Sequence, residues 1–569
     1  MQRGTAVPDP TYPGASSVQA SGAARPVTGI TRTRIERTGE IVFVLALSGA
    51  LLFFWHHVVV GIPVSFWGVP LDWSIMSLAQ AVNIDFWARE SGPRALSQAQ
   101  FYQPGLWYQF ASYGIYRATS VSGTSHELFQ KVITDPQRYW DVLQGMPLLL
   151  TALGTILLWR FSRGIGALAR CAVLCSYFIC SAALAFGVYQ YFNESFTLLL
   201  AAGFFPFGLR ILSAGQRRPH LNAFICGVIA SGLYLHKMNY IVWAIALIPA
   251  FVAAALVKRS TWTDALLRSL LLLAGIVGGV LSLGYLLLGP TGLQMMLQAH
   301  KEILLSSGIY GQGGHTVVSL ESMIASAVGL ASTEYYLVLL LAACVLLAIA
   351  ATLLHVRDSA WLAGQLPEGV FIFAAAGGML LAVLKHYQPY YIVSVAAVLP
   401  FMILWLARAR VWVIGPVALV LTAMAALTII PGLILVQRSW AETEAKMKAD
   451  HEVIVSRALQ PGAVRLWMYR DVDPFCGRLF LVNFIGISGL LNDVAEVQGP
   501  QQFISPWHDS IEQASGYKNI KSVPWQAIVV DKTSIAYINK TAHPWFDDPR
   551  VRRTELQQVV LFERDLPPD

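Results

Sequence analysis

The sequence predicts a mainly α protein, a polytopic membrane bundle of about eleven spanning helices followed by a small C-terminal α/β domain. Three observations carry that prediction. Of 569 residues 55% are hydrophobic and only 13% are charged, whereas soluble domains usually carry about 25% charged residues, and the mean hydropathy is +0.54. Apolar runs long enough for a helix to cross a bilayer recur from Ile41 to Val436, and in hydrocarbon every backbone polar group must be paired inside its own segment, which restricts such runs to helices. Beyond that point the pattern changes to short apolar runs bounded by turn residues.

Taken in order, residues 1–40 are rich in Pro, Gly, Ser, Ala and Thr, with Arg25, Arg32, Arg34 and Arg37 just before the first apolar run. Such a composition buries no core and reads as a disordered cytoplasmic tail, and the segment from Ile41 reads as a retained anchor rather than a cleaved signal. The transmembrane domain, 41–437, has spans expected at roughly 41–61, 141–160, 167–187, 194–213, 220–236, 239–257, 267–289, 333–355, 367–384, 388–407 and 411–436. Arg160, Arg163 and Arg170, then Arg210, Arg217 and Arg218, then Lys258, Arg259 and Arg268, then Arg357, then Arg408 and Arg410 fall in alternate connections. By the positive-inside rule those connections and the N-terminus are cytoplasmic. The chain is therefore expected to be integral to the inner or plasma membrane. The loop 62–140, the turns Tyr189–Glu194 and His236–Asn239, the loop Gly289–Thr333, the turn Lys385–Gln388 and the domain 438–569 are then extracytoplasmic.

In 438–569 the runs Ala463–Tyr469, Trp525–Asp531 and Val559–Glu563 suggest a small α/β domain for substrate docking or support; Arg478–Ile487 reads as a helix or a buried strand. Cys171, Cys175, Cys180, Cys226 and Cys344 lie within apolar spans as small hydrophobes, and Cys476 stands alone outside, so no disulfide framework is expected. The net charge of +7 comes mostly from inside-facing basic residues, which argues for topology and anionic lipid contact rather than nucleic acid.

Residues with chemistry to offer gather at the outer ends of the spans. Asp72 follows the first span by about ten residues, which places it near the membrane surface, where a carboxylate can act as a general base toward a hydroxyl; the bland alternative is a loop residue or a cap on the stretch Trp73–Ala81. The same loop carries Asp85, Arg89, Arg94 and the aromatic run from Phe101 through Tyr102 to Tyr108. Residues Gln100–Arg117 read as a helix lying in the interface, with a sugar-stacking face as the alternative to simple anchoring. Asn193 and Glu194 open the fourth span, where the helix dipole favours a carboxylate. Lys385, His386, Tyr387, Gln388, Pro389, Tyr390 and Tyr391 crowd one outer turn. Its cation pair suits a lipid-linked phosphate, with a snorkelling Lys385 as the bland alternative. His236 and Lys237 repeat the theme at another outer turn. In the loop Thr291–Thr333 the glycines from Gly308 to Gly314 suggest a segment that orders over a bound donor, or a plain connector. No spacing of metal ligands is visible and no cofactor is expected, although carboxylates at this face leave room for a divalent cation.

In the order of these features the chain resembles the membrane glycosyltransferases of the GT-C fold, a group that includes protein O-mannosyltransferases and lipid A aminoarabinose transferases. The matching parts are Leu71-Asp72-Trp73 after the first span, Tyr102-Gln103-Pro104-Gly105-Leu106 in the first outer loop, Asn193-Glu194, and His386-Tyr387-Gln388-Pro389-Tyr390-Tyr391 running into Leu399-Pro400. The departures are Trp73 where many relatives have a second acid, and Gly105 where many have a second proline. The resemblance implies a GT-C-like bundle and a polyprenyl-phosphate-sugar donor whose phosphate lies near Lys385 and His386. It further implies that Asp72 activates a hydroxyl of an acceptor glycan, lipid or protein for inverting attack. Glu194 is the second candidate for the base, and Tyr102, Asp85, Arg94, Asn193, His236, Lys237, Tyr387 and Tyr390 are candidates for substrate contact. The rival readings are a transporter or flippase, or a non-catalytic envelope-assembly subunit. Against the transporter, no internal repeat is visible and the charges sit at span ends.

Overall fold

Apolar segments that must satisfy their own backbone become helices along most of the chain. The computed structural model describes residues 34–57, 81–86, 105–119, 123–213, 216–306, 319–385, 387–468, 501–505, 510–513, 516–519, 525–532 and 549–565. Its main helices are α1 (Arg34–Trp55), α2 (Leu106–Thr119), α3 (Ser125–Thr134), α4 (Pro136–Phe161) and α5 (Ala167–Cys175). These are followed by α6 (Asn193–Leu212, opening with one 3-10 turn), α7 (Pro219–His236), α8 (Met238–Leu256) and α9 (Trp262–Leu305). The last five are α10 (Leu320–Thr333), α11 (Tyr335–Leu354), α12 (Ser359–Lys385), α13 (Pro389–Arg408) and α14 (Ile414–Val455). Among the described residues α4, α6, α8, α9 and α11 to α14 are long and apolar enough to cross a membrane. A bent pair starting with α5, together with α1 and α7, occupies the remaining expected segments.

Three expectations need correction. The span expected at 167–187 is broken: Ala167–Ile179 and Ala183–Tyr189 meet at 95°. At the break the carboxylate of Glu334, from the α10–α11 junction, accepts hydrogen bonds from Ser181 N at 2.8 Å and Ala182 N at 2.9 Å, and from the Ser181 hydroxyl. A side chain remote in sequence thus caps the second piece. The loop expected from Gly289 is helical at both ends. α9 turns at Gly289 (φ 68, ψ 177) and continues from Pro290 to Leu305, a left-handed step that glycine allows, before a residue that suits a first helical turn. The glycine run 308–314 lies outside the described residues. Finally, the last helix does not stop near 436. α14 has 42 residues, about 63 Å of helix against a hydrocarbon core of about 30 Å, so it is longer than one crossing needs, and its charged second half, from Arg438, leads to the C-terminal sheet.

Small residues let the bundle close. A Cβ on Gly227 of α7 would lie 2.2 Å from the Leu272 carbonyl oxygen of α9, and one on Gly275 would lie 2.2 Å from that of Phe224, so this pair packs backbone to backbone. Aromatic rings fill the centre, with Phe205 stacked on Phe401 at 4.6 Å and Trp243 on Tyr240 at 4.6 Å. Five cysteines, Cys171, Cys175, Cys180, Cys226 and Cys344, are free and buried. The C-terminal strands β1 (Val464–Met468), β2 (Gln501–Ser505), β3 (Ser510–Gln513), β4 (Gly516–Asn519), β5 (Trp525–Asp531), β6 (Val551–Glu555) and β7 (Val559–Arg564) form one sheet in the order β4-β3-β2-β1-β5-β7-β6. β1 lies parallel to β2 and β5, and the other pairs are antiparallel. The three apolar runs singled out from the sequence are β1, β5 and β7; Arg478–Ile487 and Cys476 lie outside the described residues. Asp450 of α14 holds the sheet by accepting from the backbone N–H groups of Gln557 at 2.9 Å, Gln558 at 2.5 Å and Val559 at 3.2 Å.

Candidate functional site

Two turns at one end of the bundle, 43 residues apart in sequence, meet. α6 carries the chain across the bundle and α7 returns it, which brings His236 and Lys237 back to the level of Asn193 and Glu194. His236 is fully buried and its Nε2 lies 3.0 Å from the Asn193 carbonyl oxygen. The Lys237 ammonium is ion-paired and hydrogen-bonded to Glu194 Oε1, with Glu194 2% exposed. Around Lys237 stand the rings of Tyr391 at 4.7 Å, Tyr390 at 5.5 Å and Tyr240 at 6.0 Å, so its charge is met by a carboxylate and by π-faces. Burial lowers the Lys237 ammonium below its ordinary value, against the pull of Glu194.

α2 closes the site from the loop side. Gly105 has φ +52 and donates its N–H to the His236 carbonyl at 2.9 Å, and a Cβ there would come within 2.6 Å of Asn193 Oδ1. A proline, locked near φ −65° and without an N–H, cannot stand at this position. α2 buries Tyr108, Gln109, Ser112 and Tyr116 and leaves Trp107 and Phe110 outward. Tyr108 stacks on Tyr191 at 4.8 Å, so the buried face of α2 is tyrosine-lined and Trp107 and Phe110 stand on its exposed face.

The chemical character of the Asn193–His236 cluster follows from which atoms are left unpaired. A histidine Nε2 facing a carbonyl oxygen carries the proton, and its Nδ1, in the neutral ring, is then an acceptor. Glu194 Oε2, Asn193 Oδ1 and His236 Nδ1, with Asn239 Oδ1 in the same turn, are buried without a hydrogen-bond partner among the described residues. All four are acceptors. Buried acceptors left so are expensive unless a donor reaches them, and a ligand rich in hydroxyl groups supplies donors where an anion does not.

The other sequence candidates divide. Lys385 gives hydrogen bonds to the carbonyls of Ile303, at 3.0 Å, and Leu304, fastening the arm of α9 after Gly289; among the described residues one of its three N–H donors is left over. Tyr387 bonds Thr333 through its hydroxyl at 2.6 Å, next to Glu334, whose carboxyl burial raises above its ordinary range although hydrogen bonds from Ser181 and Ala182 pull it down. Tyr390 joins the Lys237 cluster. Asp85 is fully buried and pairs with Arg117 at 3.4 Å. Asp72, Arg94, Tyr102 and His386 lie outside the described residues. The sequence reading missed Glu334, whose signal is a lone acid at the head of an apolar span. It also missed His300 on the arm of α9 after Gly289, which bonds the Tyr234 hydroxyl at 2.6 Å. Among the described residues no group of three or more His, Cys, Asp or Glu is placed to hold a metal ion.

No family model and no curated protein matches the chain. A solved structure of ArnT from Cupriavidus metallidurans bound to undecaprenyl phosphate is similar to it, with a TM-score of 0.49 and 11% sequence identity, covering 92% of this chain and 98% of that one. What the chain does is read from its own residues.

Proposed function

We propose that the chain is a membrane glycosyltransferase that moves a sugar from a polyprenyl-phosphate donor to a hydroxyl of a glycan, lipid or protein acceptor on the outer side of the membrane. The observation that carries the proposal is the buried acceptor cluster of Asn193, Glu194 and His236 beside Lys237 and its tyrosine rings, a group of atoms suited to sugar hydroxyls and sugar faces at one end of an apolar bundle. Asp72 takes the proton of the acceptor hydroxyl as its oxygen attacks the anomeric carbon. The bond to the lipid phosphate oxygen breaks, the configuration inverts, and the phosphate leaves toward Lys385 and His386. Positioning and electrostatic stabilisation of the leaving phosphate carry most of the rate in such a scheme. The N-terminus is cytoplasmic in this reading and the C-terminal domain, with the upper part of α14, is extracytoplasmic.

The experiment is incubation of the purified protein in nanodiscs with labelled polyprenyl-phosphate sugars and crude envelope acceptors. Label should move to an acceptor in wild type and not in Glu194→Gln. One feature favours the alternative of a transporter: the span broken at 95° around Cys180, since discontinuous helices often bind transported substrates. Label crossing a vesicle membrane with the donor intact would establish that reading and sink the transferase.

A further inference from the structure

A second polar site lies at the far end of the bundle. α6 leads there from Glu194, its stretch Thr197–Leu212 of 16 residues spanning about 24 Å. The ends of α6 and α8 and the first turns of α9 enclose a cavity of about 170 Å³ lined by Ser213, Gln216, Phe251, Arg259, Ser260 and Arg268. That is more than ten times the roughly 10–15 Å³ that one water requires.

Local backbone geometry delivers the arginines. α8 ends where Lys258 takes φ 58, so that the N–H groups of Arg259, at 2.8 Å, and Ser260, at 3.3 Å, both bond back to the Ala254 carbonyl. Thr261 then caps α9, its hydroxyl accepting from Asp264 N at 3.1 Å. The tight connection throws Arg259 and Ser260 onto the cavity, while Arg268, about two turns into α9, faces it with its guanidinium 6.0 Å from the Phe251 ring.

Donors there outnumber acceptors. A guanidinium has five N–H donors. Arg259 places Nη1 on the Ala363 carbonyl at 3.1 Å; Arg268 places Nη2 on Asp264 at 2.7 Å, and its Nε is buried without a partner among the described residues. The carboxylates nearby are already engaged, Asp264 also by His220 at 2.9 Å, and Glu368 by Arg408 at 3.7 Å. The remaining polar walls satisfy one another: Ser213 donates to the Arg210 carbonyl at 2.7 Å, as does the Gln216 amide, whose oxygen accepts from Asn222 at 2.8 Å. These donors match a compact group with several acceptor oxygens and negative charge.

We propose that this cavity binds a phosphate group, either the headgroup of an anionic phospholipid from the surrounding leaflet or free phosphate. The alternation of basic connections puts it at the cytoplasmic face, where anionic lipids concentrate and basic pockets between helices take their headgroups. The site stands independently of the transferase reading.

The test uses the full chain in detergent, titrated with inorganic phosphate in one arm and with short-chain phosphatidylglycerol in the other, against phosphatidylcholine, with binding read by microscale thermophoresis and by mass spectrometry of intact complexes. Arg268→Gln and Arg259→Gln should each weaken binding about tenfold or more. Response to both ligands assigns a free-anion site, and response to phosphatidylglycerol alone assigns a lipid headgroup. Absence of saturable binding in both arms overturns the proposal, as does binding unchanged in Arg259→Gln. Arg259→Gln also decides if loss of the Asp264 partner prevents Arg268→Gln from folding.

Discussion

Replacing Lys237 by methionine keeps much of the length of the side chain and removes its charge, which leaves the Glu194 carboxylate, 2% exposed, without its ammonium. Breaking one side of a buried ion pair costs about 3–5 kcal/mol, because the remaining charge stays in a poorly solvating site. The cation–π contacts with Tyr391 at 4.7 Å and Tyr390 at 5.5 Å are lost as well, worth about 0.5–2 kcal/mol, so the upper half of that range is expected. The assay is thermal unfolding in detergent, followed by tryptophan fluorescence, for the two single variants and the pair. Lys237→Met should lower the melting temperature by several degrees, and Glu194→Gln/Lys237→Met should recover most of it, since a neutral amide is left in place of an unpaired charge. Sugar transfer should not recover in the double variant, because the proposed site uses Glu194 Oε2 as an acceptor for substrate. A Lys237→Met protein that melts like wild type would refute the buried-pair reasoning, and a double variant that regains transfer would leave the pair a purely structural role.

Asp72→Asn should lower turnover about 100-fold or more with little change in donor affinity, since general bases contribute roughly 10²–10⁴, whereas Lys385→Ala should weaken donor binding and turnover together; single-turnover kinetics with titrated donor separates the two. Gly105→Ala forces a side chain into φ +52 and against Asn193 Oδ1, and should destabilise by about 1–3 kcal/mol and impair transfer, both measurable on one preparation. Asp450→Asn weakens the grip on Gln557, Gln558 and Val559, so limited proteolysis after Val455 should speed up, reflecting a loss of about 1–3 kcal/mol. A reporter active only in the cytoplasm should be silent when fused after Leu435 or after Pro568, and a bright fusion would reverse the orientation.

How much was legible in the sequence depended on whether a feature is decided within its own segment. The helices were, because an apolar run pairs its own backbone wherever it packs, and β1, β5 and β7 were, because their short runs end in turn residues. The break after Ile179 was not. Its cause is Glu334, more than 150 residues away, which offers a cap that no local pattern announces. The continuation of α14 past Val436 was not legible either, because loss of hydropathy ends an apolar run but not a helix, and Arg438 to Asp450 keep helix-forming residues beyond it. At Gly289-Pro290 a span was expected to end in a loop, but the two residues redirect a helix there instead of ending it.

The site itself shows the same limit in its chemistry. Asn193-Glu194 and His236-Lys237 were visible as two polar outer turns, and counting spans puts them on one face. Counting does not say that they touch. Read separately, Lys237 is a free cation and its turn a seat for an anion; placed against Glu194, it becomes half of a neutral pair, and the atoms left over are all acceptors. Contact therefore changes the expected ligand group from phosphate to hydroxyl. If one donor molecule carries both, its sugar belongs at Asn193, Glu194 and His236. Its phosphate then belongs at the remaining N–H of Lys385, on the turn from which Tyr390 and Tyr391 reach the Lys237 cluster. Glu194→Gln should accordingly discriminate among donor sugars while leaving affinity for the sugar-free lipid phosphate unchanged, and competition binding with that lipid would expose the division as wrong if both affinities fell together.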